Sequence, residues 1–324
     1  MNIENENIEN IENENIENIE NENIENIENE NIENENIENE NIENRYEFII
    51  LFDVENGNPN GDPDAGNMPR VDPETSLGIV TDVCLKRKIR NYVEIVKPNE
   101  PGYNILIKAD KSLNAKFKDA YDKNNLKENK KDKNKDDVEI ARKYICKNYY
   151  DVRTFGAVMT TGNYSSGIVR GPIQINFAQS IDPVLPQEIS ITRQALTTDK
   201  DFNEKSNTIG KKNFIPYGLY KAEGYISALL AQKTGFSQDD LELTFEAIKN
   251  MFEHDHSSLR GKICMRKLIV FKHESALGNA LSHELFDKLT ISRKKDVDVA
   301  RKFTDYDIVL NKNMPEGITL IEKI

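Results

Sequence analysis

The chain has 324 residues, with 43 Lys and Arg against 56 Asp and Glu, a formal net charge of −13 and three cysteines. It has no run of eighteen apolar residues, which excludes a membrane-spanning helix, and no cationic stretch leading into an apolar one at its start, which argues against a secretory signal. Cys84, Cys146 and Cys264 are odd in number and form no CxxC pair, so a disulfide framework or thiolate zinc site is not expected and a cytoplasmic protein is.

Residues 1–44 contain only Asn, Ile and Glu after the first Met, with 16 Glu and no Lys or Arg. Ile recurs at steps of five and three, which builds neither a helical stripe nor a strand face. Like charges repel along the segment, so a disordered low-complexity tail is expected. Without it, residues 45–324 carry 43 basic and 40 acidic residues, a net of +3 (43 − 40). The acidity therefore belongs to the tail, and local clustering has to carry any case for nucleic acid.

YEFIILFDV, 46–54, reads as a central strand. The loop NGNPNGDPDAGNMPR, 56–70, follows. Its Asn56, Asn58, Asn60 and Gly61 imitate the start of a calcium loop, but the bidentate acid position is Asn67 and an EF-hand fails. Thr81 and Asp82 suit the start of a helix, with Leu85, Ile89, Tyr92, Val93 and Val96 on one stripe and Lys86, Arg87 and Arg90 away from it. Residues 97–150 read as an insertion, with helices near 111–121 and 136–149 around the mixed-charge run KNNLKENKKDKNKDD.

Strand character returns at 151–159. GNYSSG, 162–167, has phosphate-loop glycines, but Ile168 and Val169 stand where Lys and Ser/Thr are required. In IVRGPIQINFAQSI, Ile173, Ile175 and Phe177 alternate with Gln174 and Asn176, a half-buried strand with Arg170 on its polar phase. Residues 188–196 and 213–226 read as extended segments joined through a long hairpin arm. Ser237 and Asp240 fit a capping box for a helix carrying Leu241, Phe245, Ile248 and Phe252. A strand at 262–273, a short helix near 282–289 and a strand near 318–322 complete the pass. The order matches a ferredoxin-like α+β plan, whose open sheet face RNA-recognition domains use.

No nucleophile elbow or Cys-His signature stands out, and His254 and His256 read as a helix-end feature rather than a metal site. The chemistry that remains is cationic. KRKIR at 86–90, Arg153, Arg170 and Arg193 on strand segments, and Lys211 and Lys212 at the foot of the arm are candidates for phosphate contacts. Tyr164, Phe214 and Tyr217 suit either base stacking or core.

The strings LFDVENGNPNGDPDAGNMPRVDPETSLGIVTDVCLKRKIRNY, RTFGAVMTTG, GIVRGPIQINFAQSIDPV, ITRQALTT, PYGLYKAEGYIS and NMFEHDHSSLRG, in this order, closely resemble the Csd-two family, the type I-C branch of the CRISPR-associated Cas-seven superfamily. The type I-B branch, Csh-two, shares much of the pattern. The resemblance implies an RRM-like palm, a helical finger insertion at about 97–150 and a β-hairpin thumb at about 193–216. It further implies copies assembled head to tail on a CRISPR RNA, target DNA read by guide pairing, and partners comprising a Cas-five-type subunit and the large and small Cascade subunits. Within it, Arg70 joins Lys86, Arg90, Arg153, Arg170, Arg193, Lys211 and Lys212 as expected RNA contacts. No cofactor, metal or catalytic residue is expected. The rival is a metal-dependent endoribonuclease of the same superfamily using Asp62, Asp64 or Asp72.

Overall fold

A strand that is apolar on both faces has to be covered on both. In the computed structural model, which describes residues 41–128, 134–160, 162–193 and 208–324, that strand is β1 (Tyr46–Gly57). After it come the two-residue strands β2 (Gly61–Asp62) and β3 (Met68–Pro69), then β4 (Leu77–Val80). Helix α1 (Asp82–Val96) starts at Thr81, whose hydroxyl accepts the Cys84 N–H. The insertion supplies α2 (Leu113–Lys123) and α3 (Lys135–Asn148).

The segment expected as a strand at 151–159 instead begins as helix α4 (Tyr150–Phe155), and only β5 (Gly156–Met159) is extended. Tertiary partners override the β-branched propensity of Val152 and Thr154. Asp151 accepts the backbone N–H groups of Leu106 and Ile107, Tyr150 meets Thr244, and Arg153 meets Asp240. Strands β6 (Gly167–Arg170), β7 (Ile173–Ile175) and β8 (Ala178–Pro183) follow. The alternation expected there breaks after Ile175: Phe177 is exposed and Ala178 buried, because the chain shifts register between β7 and β8.

Strand β9 (Gln187–Arg193) pairs with the first part of β10 (Thr208–Ile226). Residues 194–207, the expected outer part of the arm, lie outside the described residues. Next are α5 (Ala228–Thr234) and α6 (Gln238–Asn250), the latter opened by the expected Ser237–Asp240 capping box. Strand β11 (Lys262–His273), α7 (Ser282–Phe286), the unforeseen hairpin β12 (Leu289–Arg293) and β13 (Tyr306–Leu310), and β14 (Ile318–Glu322) complete the order.

The result is a mixed α+β fold around a large antiparallel sheet ordered β14-β11-β1-β10-β8-β4, with β7 and β9 also on β10. Phe48, Ile50, Phe52 and Val54 of β1 pack into one core with Leu85, Ile89 and Val93 of α1 and Leu241, Phe245 and Ile248 of α6. Ile49 and Leu51 point the other way, into a second core with Leu285, Phe286, Leu289 and Tyr306. This corrects the expected open sheet face: α7, β12 and β13 cover it, because β1, β10 and β11 carry apolar residues there as well. A third core holds Phe117, Ile145, Val152, Met159 and Val169, so the insertion's packing extends past residue 150 through β6.

Residues before 45 also pack with the fold. Asn41 bridges to Ser237, and Ile42 is buried in the main core. The expected disordered segment at 1–40 lies outside the described residues.

Two outcomes follow from this packing. Ile42→Ala in the full chain is expected to cost about 2–4 kcal/mol in urea unfolding, as for other buried large-to-small changes; a loss within experimental error would contradict the burial of that residue. All three cysteines are free, and burial raises their thiol pKa values, that of Cys146 to about 11. A raised pKa leaves less thiolate, so iodoacetamide at pH 8 should label the native protein slowly and all three sites rapidly in denaturant.

Candidate nucleic-acid interface

The side chains of the 56–70 loop hold the loop itself in place. Asn60 Oδ1 accepts both the N–H and the hydroxyl of Thr81 at 2.9 Å, tying the loop to the start of α1. Asn58 Nδ2 donates to the Asn67 carbonyl at 2.7 Å, closing the β2–β3 hairpin, and Asn213 of β10 donates to the Gly66 carbonyl at 2.8 Å. The Asn58 Oδ1 is buried without a hydrogen-bond partner among the described residues, which costs about 1–3 kcal/mol.

A third attachment joins the loop to the turn before β11. The Asn58 N–H donates to the Leu259 carbonyl at 2.8 Å, and a Cβ on Gly57 would lie 1.9 Å from the Arg260 carbonyl oxygen. A Cβ on Gly261, at φ +65°, would lie 2.4 Å from the Asn56 carbonyl oxygen. Only paired glycines permit that approach. Register places Gly57 beside Ile215 and Glu55 beside Lys262, so loop, arm foot and turn share one end of the sheet.

The arm is a two-stranded ribbon with distinct faces. Register puts Lys212 opposite Ile189 and Gly210 opposite Ile191 on one face, where both isoleucines are exposed. Lys211 and Ser190 share the other face, with Lys211 paired to Glu188 at 2.7 Å. Arg193 stands opposite Thr208 at the limit of the described arm. Lys212 has no ion-pair partner among the described residues. Arg70 lies near Asp62, Nη1 to Oδ2 3.4 Å. Exposed pairs of this kind are weak and exchange readily for phosphate.

The other candidates separate from this cluster. Arg170 is exposed and unpaired among the described residues, beside a groove of about 400 Å³ lined also by Arg45, Tyr225 and Leu229. Because β7 pairs at Gly224–Ile226, that site lies about 40 Å along β10 from Lys212, taking ~3.3 Å per residue. Lys86 is mostly covered, pairing with Asp82 at 2.9 Å over the Phe155 ring.

Arg90 and Arg153 require correction. Arg90 is 8% exposed with Nε 2.8 Å from Asp151. Arg153 is 6% exposed, forks onto both oxygens of Asp240 at 2.7 Å and lies over the rings of Tyr103 and Tyr150. Both join the insertion to the rest of the fold and are structural. Tyr217 is buried with its hydroxyl on Asp53 at 3.0 Å, and Tyr164 packs edge-on against Tyr121.

Sequence reasoning met Lys88 only as a member of the KRKIR cluster and did not single out Arg260. Lys88 is buried against Asp255; desolvation draws its pKa below the usual lysine value, and the hydrogen bond it donates to Asp255 opposes that shift. Arg260 Nε lies 3.2 Å from the same Asp255 oxygen, and its Nη1 donates to the Pro59 carbonyl at 3.2 Å. The signal was the Gly after Arg260, which marks a close backbone approach. The loop carboxylates are engaged locally: Asp62 accepts from the Asp64 N–H, and Asp72 accepts from Thr75 and Glu74, which hold its carboxyl below the usual range. No cluster of three or more His, Cys, Asp or Glu residues suited to a metal occurs among the described residues.

Residues 44–311 match the family model of the CRISPR-associated protein Cas7, and the chain belongs to that family. It is 26% identical over 236 residues to a protein from Haloferax volcanii described as CRISPR-associated protein Cas7; the match covers 64% of each chain, just under two thirds of that relative's length. Among solved structures it is similar to a chain from a "CRISPR RNA-guided surveillance complex, pre-nicking", with TM-score 0.45, 11% identity, and coverage of 70% of this chain and 78% of that one. Another, from a "CRISPR RNA-guided surveillance complex", gives TM-score 0.39 at 13% identity over 69% of this chain and 68% of that one.

The contrast between buried and exposed cations has a direct test. Arg153→Ala strands Asp240 and is expected to cost about 3–5 kcal/mol of stability, whereas Lys211→Ala should change it by less than about 0.5 kcal/mol. Similar urea midpoints for the two variants would contradict the assignment.

Proposed function

We propose that this protein is a non-catalytic, CRISPR RNA-binding backbone subunit of a type I Cascade surveillance complex, of the I-C branch. Family membership across residues 44–311 carries the reading. Phosphate contacts come from the exposed Lys211 and the half-exposed Arg70 and Lys212 at the arm end, from Arg193 on β9, and from the exposed Arg170 some 40 Å away by the ~3.3 Å rise of β10. Two contact points so far apart suit an extended strand better than a compact ligand. Because no guide sequence is fixed, recognition rests on phosphate charge and backbone shape, and base pairing reads the target DNA.

The strand order β11-β1-β10-β7 with α1 and α6 on one face supports the ferredoxin-like palm; the insertion then acts as finger and the β9–β10 arm as thumb. Copies adding head to tail generate an open filament along the RNA. A Cas-five-type subunit and the large and small Cascade subunits complete the assembly in the cytoplasm. The nuclease reading keeps one observation in its favour, the exposed Asp64 on the same loop.

Nucleic acid co-eluting with the purified protein, and affinities for unrelated single-stranded RNAs of equal length, test the proposal. Arg170→Ala and Lys212→Ala should each weaken all sequences alike and reduce the salt slope by about 0.7. Unchanged affinity and slope in both variants would overturn these contacts. Magnesium-dependent cutting of labelled RNA that Asp64→Ala abolishes would favour the nuclease.

A further inference from the structure

Beside the Gly57–Gly261 crossing lies a cavity of about 220 Å³ lined by Asn58, Gly61, Asn67, Ser257, Leu259 and Arg260. At ~30 Å³ per water it has room for about seven waters, enough for a sugar-sized group. All of its side chains except Leu259 are polar. Two features point to the ligand.

The first is charge. Asp255 is one carboxylate facing two cations, the buried Lys88 and Arg260, whose side chain is 34% exposed. One positive charge stays uncompensated at the cavity wall, which suits an anion, and Arg guanidinium groups match phosphate geometry. The second is an unmet acceptor. Asn58 is only 3% exposed, and its Nδ2 bond to Asn67 fixes the amide, so Oδ1 is the atom left unpaired among the described residues. That oxygen needs a donor. A phosphodiester or a sulfate has none to offer at neutral pH; a hydroxyl beside a phosphate does.

We propose that this cavity is a subsite for one ribonucleotide unit of a bound RNA strand, with the phosphate against Arg260 and the ribose 2′-hydroxyl donating to Asn58 Oδ1. Gly61 leaves the space that the Asn67 amide occupies on the opposite wall, since a Cβ there would sit 1.9 Å from Asn67 Oδ1. The subsite rests on the RNA-binding reading above and adds to it a means of telling RNA from DNA.

Fluorescence anisotropy on the full chain tests this with one single-stranded sequence made as RNA, as 2′-deoxy and as 2′-O-methyl. The wild type should bind RNA about fivefold or more tightly than either analogue, the scale of one hydrogen bond. Asn58→Ala should remove that preference, and Arg260→Gln should weaken RNA about tenfold and lower the salt slope by about 0.7. The wild-type comparison needs no variant to fold. Equal wild-type affinity for all three oligonucleotides, or unchanged RNA affinity in Arg260→Gln, overturns the subsite while RNA binding stands. No RNA binding by the wild type at low ionic strength overturns both.

Discussion

The contact on which the functional end of the molecule depends is the one between the backbones of Gly57 and Gly261. Strand β1 leaves the sheet there, and β11 enters it a residue later on the facing chain. The approach excludes any side chain on either glycine, so it fixes where the 56–70 loop begins. Thr81 and Asn213 then fix its far side. The loop, the arm foot and Arg260 form one surface because the sheet brings their ends together. An alanine at Gly57 would push β1 and β11 apart at that surface and displace the backbone of Arg260.

Charge divides by burial. Arg90, Arg153 and Lys88 are themselves buried, the first two against the buried Asp151 and Asp240, where removing a partner leaves an uncompensated ion and costs several kcal/mol. Lys211 and Arg170 face water and Lys212 is half-exposed, where a pair contributes about 1 kcal/mol or less. The first set holds the helical insertion and the α1 face to the rest of the fold. The second is available to a polyanion at little cost to the fold. Arg260 lies between them, half committed to Asp255 and half exposed, which is the balance a preorganised anion contact needs.

Much of the fold was legible from local pattern. The apolar run of β1, the Thr81 cap of α1, the Ser237–Asp240 box of α6 and the two insertion helices depend on residues close in sequence. Helix α4 was misread because Val152 and Thr154 favour strand locally, while Asp151 and Arg153 find their partners about 45 and 87 residues away. Arg90 looked solvated because helical spacing cannot show that the insertion folds back over that face. The hairpin β12–β13 is short and half-exposed, with too little alternation to register, and its absence from the reading left one sheet face uncovered. The site followed the same division: exposed cations on strands were visible, whereas the Asp255–Arg260–Lys88 group required knowing that residues 58 and 259 are neighbours.

The central claim is that RNA lies along the end of the sheet where arm, loop and turn meet and continues toward Arg170. Photo-crosslinking of 4-thiouridine RNA to the full chain, with peptide mapping by mass spectrometry, tests it most directly. Adducts are expected within residues 56–70, 208–214 and 257–261, and near Arg170. Crosslinks confined to the surface of α7, β12 and β13, or an adduct pattern that changes with guide sequence, would contradict it.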